Sequence, residues 1–264
     1  MTRTDAFMGS PGLEVPVPLV SADPADDWDD ESNNFERDTS KLNDTKVKID
    51  KHKIAGFGIT REQLATFRPS YWIKKAELNA RSIGLAVRKD LFALVTGDNF
   101  GDTADDKHVV GASTAFTKSS IAKLRAKLVK RGMAAESTVV GLNPDYFAAL
   151  LDGLSADTFG GREAIVGGVI PGLYGFRAIF ELPNYAGPGF AALPSALATA
   201  SRKLLPLDET PYTEFKTFTE PDTGMSFNNV ILVTAKTGKG NFSVECNYGM
   251  NVGDKKALVR LMAS

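Results

Sequence analysis

Apolar and polar residues follow two rhythms along this chain, and each predicts an element type. In "YWIKKAELNARSIGLAVRKDLFALV", residues 71–95, Trp72, Ala76, Ala80, Ile83, Val87, Leu91 and Leu94 recur at steps of three and four. That is the spacing of one helix face. Such a helix would run about 36 Å at 1.5 Å per residue. Its other face reads as polar, with Lys74, Lys75, Arg81, Arg88 and Lys89 set against Glu77 and Asp90. A shorter helix, "ITREQLATF" (59–67), precedes it with Thr60 as cap, and Arg68-Pro69-Ser70 marks the boundary between them.

A second helix is expected over residues 118–131, with Ile121, Leu124, Leu128 and Val129 as its stripe and Gly132 as terminator. "STVVGL" (137–142) then reads as a buried strand. At "GLNPDYFAAL" the chain turns a corner. Asn143 is a good helix cap, and Pro144 suits the first helical position, where no amide donor is needed. Asp145 falls in the first turn, where the helix dipole favours a negative charge. Tyr146, Phe147, Leu150 and Leu151 supply the apolar face, so the corner is expected to be scaffold.

Period-two patterns cover much of the rest. "TKVKIDKHKI" (45–54) suits an exposed ribbon, broken by "GFG" (56–58). "EAIVGGVIPGLYGFRAIFELPN" (163–184) reads as glycine-punctuated β structure, and a small helix is expected after Pro194. From Tyr212 onward the pattern is β, with a turn at "TGKGN".

Charge changes this picture at the front of the chain. The net charge is only −1, but residues 1–38 hold ten acids and two bases, and the remainder holds 29 bases and 22 acids. Asp23, Asp26, Asp27, Asp29, Asp30 and Glu31 form a run with no base in it, and it encloses Trp28. Such a run cannot build a core and reads as an extended arm. Trp28, Phe35, Val15, Val17 and Leu19 suggest that it docks on a basic surface, of its own body or of a neighbouring copy.

Candidate chemistry is sparse. One cysteine, Cys246, excludes an internal disulfide framework, and with only His52 and His108 beside it no zinc spacing exists. No cofactor or metal is expected. The acidic run lacks the glycine and glutamate positions of an EF-hand. No signal peptide and no membrane-length apolar run is visible. Ser120-Ile-Ala-Lys123, Ser226-Phe-Asn228 and Lys236-Thr-Gly238 match the motif types of serine acyl-transferases of β-lactamase type. Only one apparent strand separates the last two, and Ser120 lies where a serine often caps a helix. The expectation is that the protein is not an enzyme.

The ordered set of segments resembles the major capsid protein of tailed bacteriophages, the Hong Kong 97 fold. "ITREQLATFRPSYWIKKAELNARSIGLAVRKDLFALV" resembles the spine helix and its entry. "VVGLNPDYFAALL" resembles the strand-to-helix corner of the axial domain, followed by "VIPGLYGFRAIFELPN" and "GFAALPSAL". "FNNVILVTAKTGKGNFSVECNYGMNVGDKKALVRL" resembles the closing strands of the peripheral domain. The likeness spans about residues 55–264.

The resemblance implies an α+β fold divided into an acidic N-terminal arm (1–44), an extended ribbon (45–60), a peripheral domain in two parts (61–111 and 211–264) and an axial domain (112–210). It implies a structural protein that assembles with itself into hexamers and pentamers of an icosahedral shell around double-stranded DNA. Portal, scaffolding or decoration proteins would be partners, and the bases of the spine helix would touch DNA without sequence preference. The implied location is the virion capsid, with assembly in the cytoplasm of a bacterial host. An encapsulin-like nanocompartment shell is the alternative within the fold, and the acyl-transferase the alternative outside it.

Overall fold

The computed structural model describes residues 2–6, 14–19, 43–66, 68–154, 169–183, 185–204, 214–219, 225–234 and 239–263. The acidic run from Asp23 to Glu31 and the turn containing Lys236 lie outside them.

In chain order the first strands are β1 (Thr2–Ala6), β2 (Glu14–Leu19), β3 (Asn43–Lys48) and β4 (Lys51–Ile59). Helices α1 (Arg61–Thr66), α2 (Pro69–Phe92) and the single turn α3 (Gly97–Phe100) follow, then β5 (Lys107–Val109) and α4 (Lys118–Lys130). β6 (Val139–Leu142), α5 (Pro144–Asp152), β7 (Val169–Pro171), β8 (Ala178–Glu181) and β9 (Gly189–Ala192) come next. The chain closes with β10 (Leu197–Arg202), β11 (Glu214–Thr219), β12 (Ser226–Thr234), β13 (Lys239–Val252) and β14 (Leu258–Met262).

Two mixed sheets organise these elements. The first runs β1-β10-β13-β12-β11, with β4 on the other edge of β13. The second runs β5-β14-β9-β6-β8-β7. The sheets do not follow the chain segments one by one. β10 joins the sheet of the late strands, and β14, the last strand, pairs with β9 and β5 in the other.

α2 forms where its pattern requires. Pro69 occupies its first turn and Arg68 its cap position, so no amide donor is wasted there. Its Ile83 and Val87 pack on Met225, Phe227, Val244, Cys246 and Tyr248 of the first sheet. Thr60 and Gln63 close α1 with a reciprocal pair of bonds, the Thr60 Oγ1 accepting from Gln63 N and the Gln63 Oε1 from Thr60 N. α4 and α5 cover the second sheet, where Ile121, Leu124 and Leu128 pack with Val140, Leu142, Phe147, Leu150 and Ile179. Each such side chain contributes about 1.5–3 kcal/mol by leaving water. Gly132 terminates α4 with φ of 79°, but Val129 is not part of the buried stripe and stands 53% exposed.

Two expectations about strands and turns change. β4 does not break at "GFG". It pairs with β13 from Lys51 through Ile59. Gly56 permits a close approach there, because a Cβ would meet the Phe242 carbonyl oxygen at 2.8 Å. Phe57 stacks on Phe242 at 5.5 Å and on Trp72 at 5.9 Å, which welds the strand to both sheet and helix. After Pro194 only one 3-10 turn forms (Pro194–Ala196), and β10 replaces the expected helix. Burial explains this: Leu197 to Ser201 are buried on both faces, so pairing with β13 outweighs the helix propensity of alanine. The polar stretch after α2 also holds α3, capped by Thr96.

β2 and β3 form a ribbon of their own, with Glu14 opposite Lys48 and Leu19 opposite Asn43. Val15, Val17, Val47 and Ile49 bury one face against Ala198 and Ala200 of β10. Pro16 and Pro18 occupy the exposed positions of the outer strand, where a missing donor costs least.

Candidate assembly surfaces

The Asn-Pro corner is built as scaffold. Asn143 Oδ1 accepts from Asp145 N at 3.0 Å, capping α5, while Asn143 Nδ2 donates to Tyr185 O at 2.7 Å. Its backbone N donates to Pro188 O at 2.8 Å. One side chain therefore ties the helix start to the 183–188 loop. Pro144 fills the first turn, and Asp145 stays exposed beside the helix N-terminus. Tyr146 is buried and donates from its hydroxyl to Gly111 O at 2.8 Å. Nothing at the corner is arranged for catalysis.

The spine helix α2 presents its bases in two groups. Lys74, Arg81 and Arg88 are exposed and seven residues apart, which sets them on one stripe, with Lys89 exposed beside it. Lys75 turns toward the sheet, its Nζ 5.2 Å from the centre of the Phe57 ring. The outward face is not uniformly polar as the sequence pattern suggested. Ile73, Leu78 and Leu85 are 62%, 57% and 41% exposed. Leu78 and Leu85 also stand seven apart, a signal legible in the sequence but masked by the stronger stripe on the buried side. Large aliphatic side chains beside a row of cations have the composition of a protein-binding surface.

Near the C-terminal end of the helix, Asp90 anchors β4 and β13. It accepts from the Tyr248 hydroxyl at 2.8 Å and lies 3.3 Å from Lys51 Nζ and 3.8 Å from Lys53 Nζ. Burial pushes the Asp90 carboxyl up, but the Tyr248 bond and the two ammonium groups outweigh it and hold it below its ordinary value. The same burial and the carboxylate raise the Tyr248 hydroxyl. His52 Nε2 lies 3.0 Å from Glu245 Oε2 across the β4–β13 ladder.

The loop before β5 is held by cations. Arg131 Nη2 lies 3.0 Å from Asp106 Oδ1, and the Thr103 hydroxyl bonds Asp106 Oδ2 at 2.6 Å. That hydroxyl bond above all holds the Asp106 carboxyl below its ordinary value against the effect of burial. Lys127 Nζ donates to the carbonyls of Ala104 and Lys107. Half-buried His108 nearby has its affinity for a proton lowered by burial first and by Lys127 and Lys123 second.

The serine motifs have structural uses. Ser120 Oγ accepts from Thr117 N at 3.3 Å in the capping box of α4, and Lys123 is exposed. Ser226 is buried in the other sheet, its backbone N donating to Ser201 Oγ at 3.0 Å, and Asn228 accepts from Thr217. Burial pushes the Cys246 thiol up to about 12, which leaves it unreactive at neutral pH. Among the described residues no group of three potential metal ligands occurs, and no helix is long and apolar enough to cross a membrane.

A spine helix laid over one sheet, a ribbon beside it and a second sheet beyond is an arrangement that can be compared with known proteins. A family model described as "Phage capsid protein" matches residues 42–261. The chain belongs to that family.

This phage capsid protein also has the fold of solved capsids. It resembles the capsid of Ralstonia phage GP4 with a TM-score of 0.60 and 10% identity, over 99% of this chain and 87% of that one. It resembles the asymmetric unit of the bacteriophage PhiM1 mature capsid with a TM-score of 0.58 and 11% identity, over 100% and 85%. A chain from Mycobacterium phage Che8 matches with a TM-score of 0.57 and 18% identity, over 95% and 84%. No curated protein sequence matches. The α+β, Hong Kong 97-like fold implied by the sequence resemblance is therefore the fold observed. The protein is a structural, self-associating major capsid protein of an icosahedral virion shell, and neither the nanocompartment nor the acyl-transferase reading is favoured.

Proposed function

We propose that this protein closes its shell from hexamers and pentamers around double-stranded DNA, assembling in the cytoplasm of a bacterial host. In this reading the second sheet with α4, α5 and the Asn143-Pro144-Asp145 corner forms the axial part, which points toward the five- and six-fold axes. The spine helix and the first sheet form the peripheral part. The observation that carries it is the outward face of α2, where Ile73, Leu78 and Leu85 are exposed beside Lys74, Arg81 and Arg88. A single subunit leaves that apolar surface in water, and contact with sister subunits removes it.

The acidic run Asp23, Asp26, Asp27, Asp29, Asp30 and Glu31, with Trp28 inside it, supplies the complementary charge. It belongs to a stretch that leaves the ribbon at Leu19 and returns to it at Asn43, directly opposite. Opposite charges on repeated surfaces orient subunits around a ring. Exposed pairs contribute only about 0–1 kcal/mol each, so the shell rests on many weak contacts that let misplaced subunits leave. Where contact between subunits leaves them open to the shell's interior, Lys74, Arg81, Arg88 and Lys89 meet packaged DNA without sequence preference, while Lys75, also a base of the spine helix, is turned to the Phe57 ring. Portal, scaffolding or decoration proteins would be further partners.

Sedimentation of the purified protein through a density gradient, with nuclease treatment before lysis of the particles, tests this. Fast-sedimenting closed particles that shield duplex DNA are expected from infected cells. A species of one subunit that does not assemble at any concentration would contradict it.

A further inference from the structure

Among the described residues Arg260 of β14 is the one buried charged residue, 9% exposed. Its Nη2 donates to Gly101 O at 3.0 Å and to the Asp102 carboxylate, and its backbone N donates to Asp106 O at 3.0 Å. Its buried Nε finds no hydrogen-bond partner among those residues. Residues 101–106 are the crossover from the spine helix, by way of α3, into β5 of the second sheet. One residue of the last strand therefore holds both ends of that crossover.

The crossover is stiff. Gly101 has φ of 83°, and a Cβ there would collide with the Asp106 carboxylate, which Thr103 and Arg131 hold in place. At Gly97, the first residue of α3, a Cβ would come within 3.1 Å of Arg260 Nη2, so the turn after the spine helix packs directly on the guanidinium.

Stability does not account for this arrangement. A buried cation loses its hydration, the unpartnered Nε adds to that cost, and the Asp102 side chain is 69% exposed, so the ion pair returns little. Adhesion between the end of the spine helix and the second sheet comes from apolar contact instead, with Leu91, Phe92, Val95 and Phe100 packed with Phe190 and Leu258. Such contact is non-directional and leaves helix and sheet free to slide past each other. A charged donor held on a fixed carbonyl and a carboxylate is directional and resists that sliding.

We propose that Arg260 is a positioning residue for assembly: it fixes the angle at which the second sheet meets the spine helix, and that angle sets the curvature at which subunits close into a shell. This rests on the shell-forming reading and adds the contact that governs particle size. Whether repeated contacts close or run open depends on the rotation from one copy to the next, so a small error in each subunit is multiplied over the shell.

Electron microscopy of particles formed by the purified protein, paired with urea unfolding of unassembled subunits, tests it. Asp102→Ala changes an exposed side chain, and Gly97→Ala displaces the guanidinium while keeping both charges. Each should leave the unfolding midpoint unchanged and roughly double the spread of particle diameters, with open or tubular forms among them. Arg260→Met should broaden the diameters equally, with a midpoint no lower than the parent's, because it removes a buried charge. Arg260→Met with Asp102→Ala should broaden them no further, since both act through one contact. Lys107→Ala removes the other cation near Asp102, 3.6 Å away, and should keep a single diameter.

Folded variants that no longer close would support the proposal as broadened diameters do. Parental diameters with Asp102→Ala and Gly97→Ala would overturn it and leave the shell reading standing. Broadening confined to variants whose midpoint falls would reduce Arg260 to a structural role, and broadening that sums in the double variant would deny the shared contact; either overturns it. Equal broadening with Lys107→Ala would assign the effect to the charge of the loop and also overturn it. Failure of the unsubstituted protein to form particles would remove both readings together.

Discussion

Asn143 satisfies two elements at once, bonding Asp145 N with its oxygen and Tyr185 O with its amide. Asn143→Ala removes a cap, costing about 1 kcal/mol, and strands the Tyr185 carbonyl. The expected loss is about 1–2 kcal/mol in urea unfolding of unassembled subunits. An unchanged midpoint would show that the corner is not held by this side chain. Tyr248→Phe should cost a similar amount, about 1.5–3 kcal/mol for a bond to a charged group, because it releases Asp90 on the spine helix.

Asp90, Asp106 and His108 each make the subunit's stability depend on pH. Asp90 and Asp106 have folded values below the ordinary 3.8, so their stabilisation is complete above that value and is lost as pH falls through the folded values. His108 has a folded value below the ordinary 6.5. The unfolded chain then binds a proton that the native state refuses, and stability falls as pH drops below 6.5 toward the folded value. His108→Gln should flatten the stability profile just below pH 6.5 and leave the steeper acid limb of the two aspartates. A profile identical to the parent's would rule out His108 as the source.

At the scale of elements, the ribbon depends on a glycine. A Cβ at Gly249 would lie inside contact distance of the Lys48 carbonyl and of Ile49. Gly249→Ala should therefore lift β3 from β13, making the ribbon a target for limited proteolysis while the spine helix resists. Equal protease resistance would mean that the ribbon is held by Val15, Val17 and Val47 alone.

The elements legible in the sequence were those with local causes. α2, α4 and the Asn143 corner follow from periodicity, caps and a proline, all within a few residues. The alanines of β10 favour a helix, and only burial on both faces makes the segment a strand. Gly56 has the local character of a breaker, and only the approach of the Phe242 carbonyl from the neighbouring strand accounts for a glycine within β4. The parallel pairing of β1 with β10 and the return of β14 to β9 join residues far apart in the chain, and no local pattern encodes such partners. On α2 the basic residues are legible in the sequence, whereas the exposed leucines between them are masked by the stripe that packs on the sheet. The stripe that buries a helix in its own subunit is the stronger pattern, and the second one has meaning only for an assembly.

For the whole molecule, that second stripe separates folding from assembly. Leu78→Glu and Leu85→Glu change residues exposed in the lone subunit, so each should shift subunit stability by no more than about 0.5 kcal/mol. Each should raise the concentration needed for assembly by about tenfold, the equivalent of 1.4 kcal/mol per contact. Light scattering against protein concentration measures this. The imbalance between an acidic front and a basic remainder adds a salt dependence, since exposed charges are screened within about 10 Å at 0.1 M. Electron cryomicroscopy of particles formed by the purified protein is the most direct measurement. Closed icosahedral shells are predicted, with Ile73, Leu78 and Leu85 on the outward face of α2 covered by a neighbouring subunit at every lattice position. Shells in which that face stays bare to solvent, or a protein that stays a lone subunit, would contradict it.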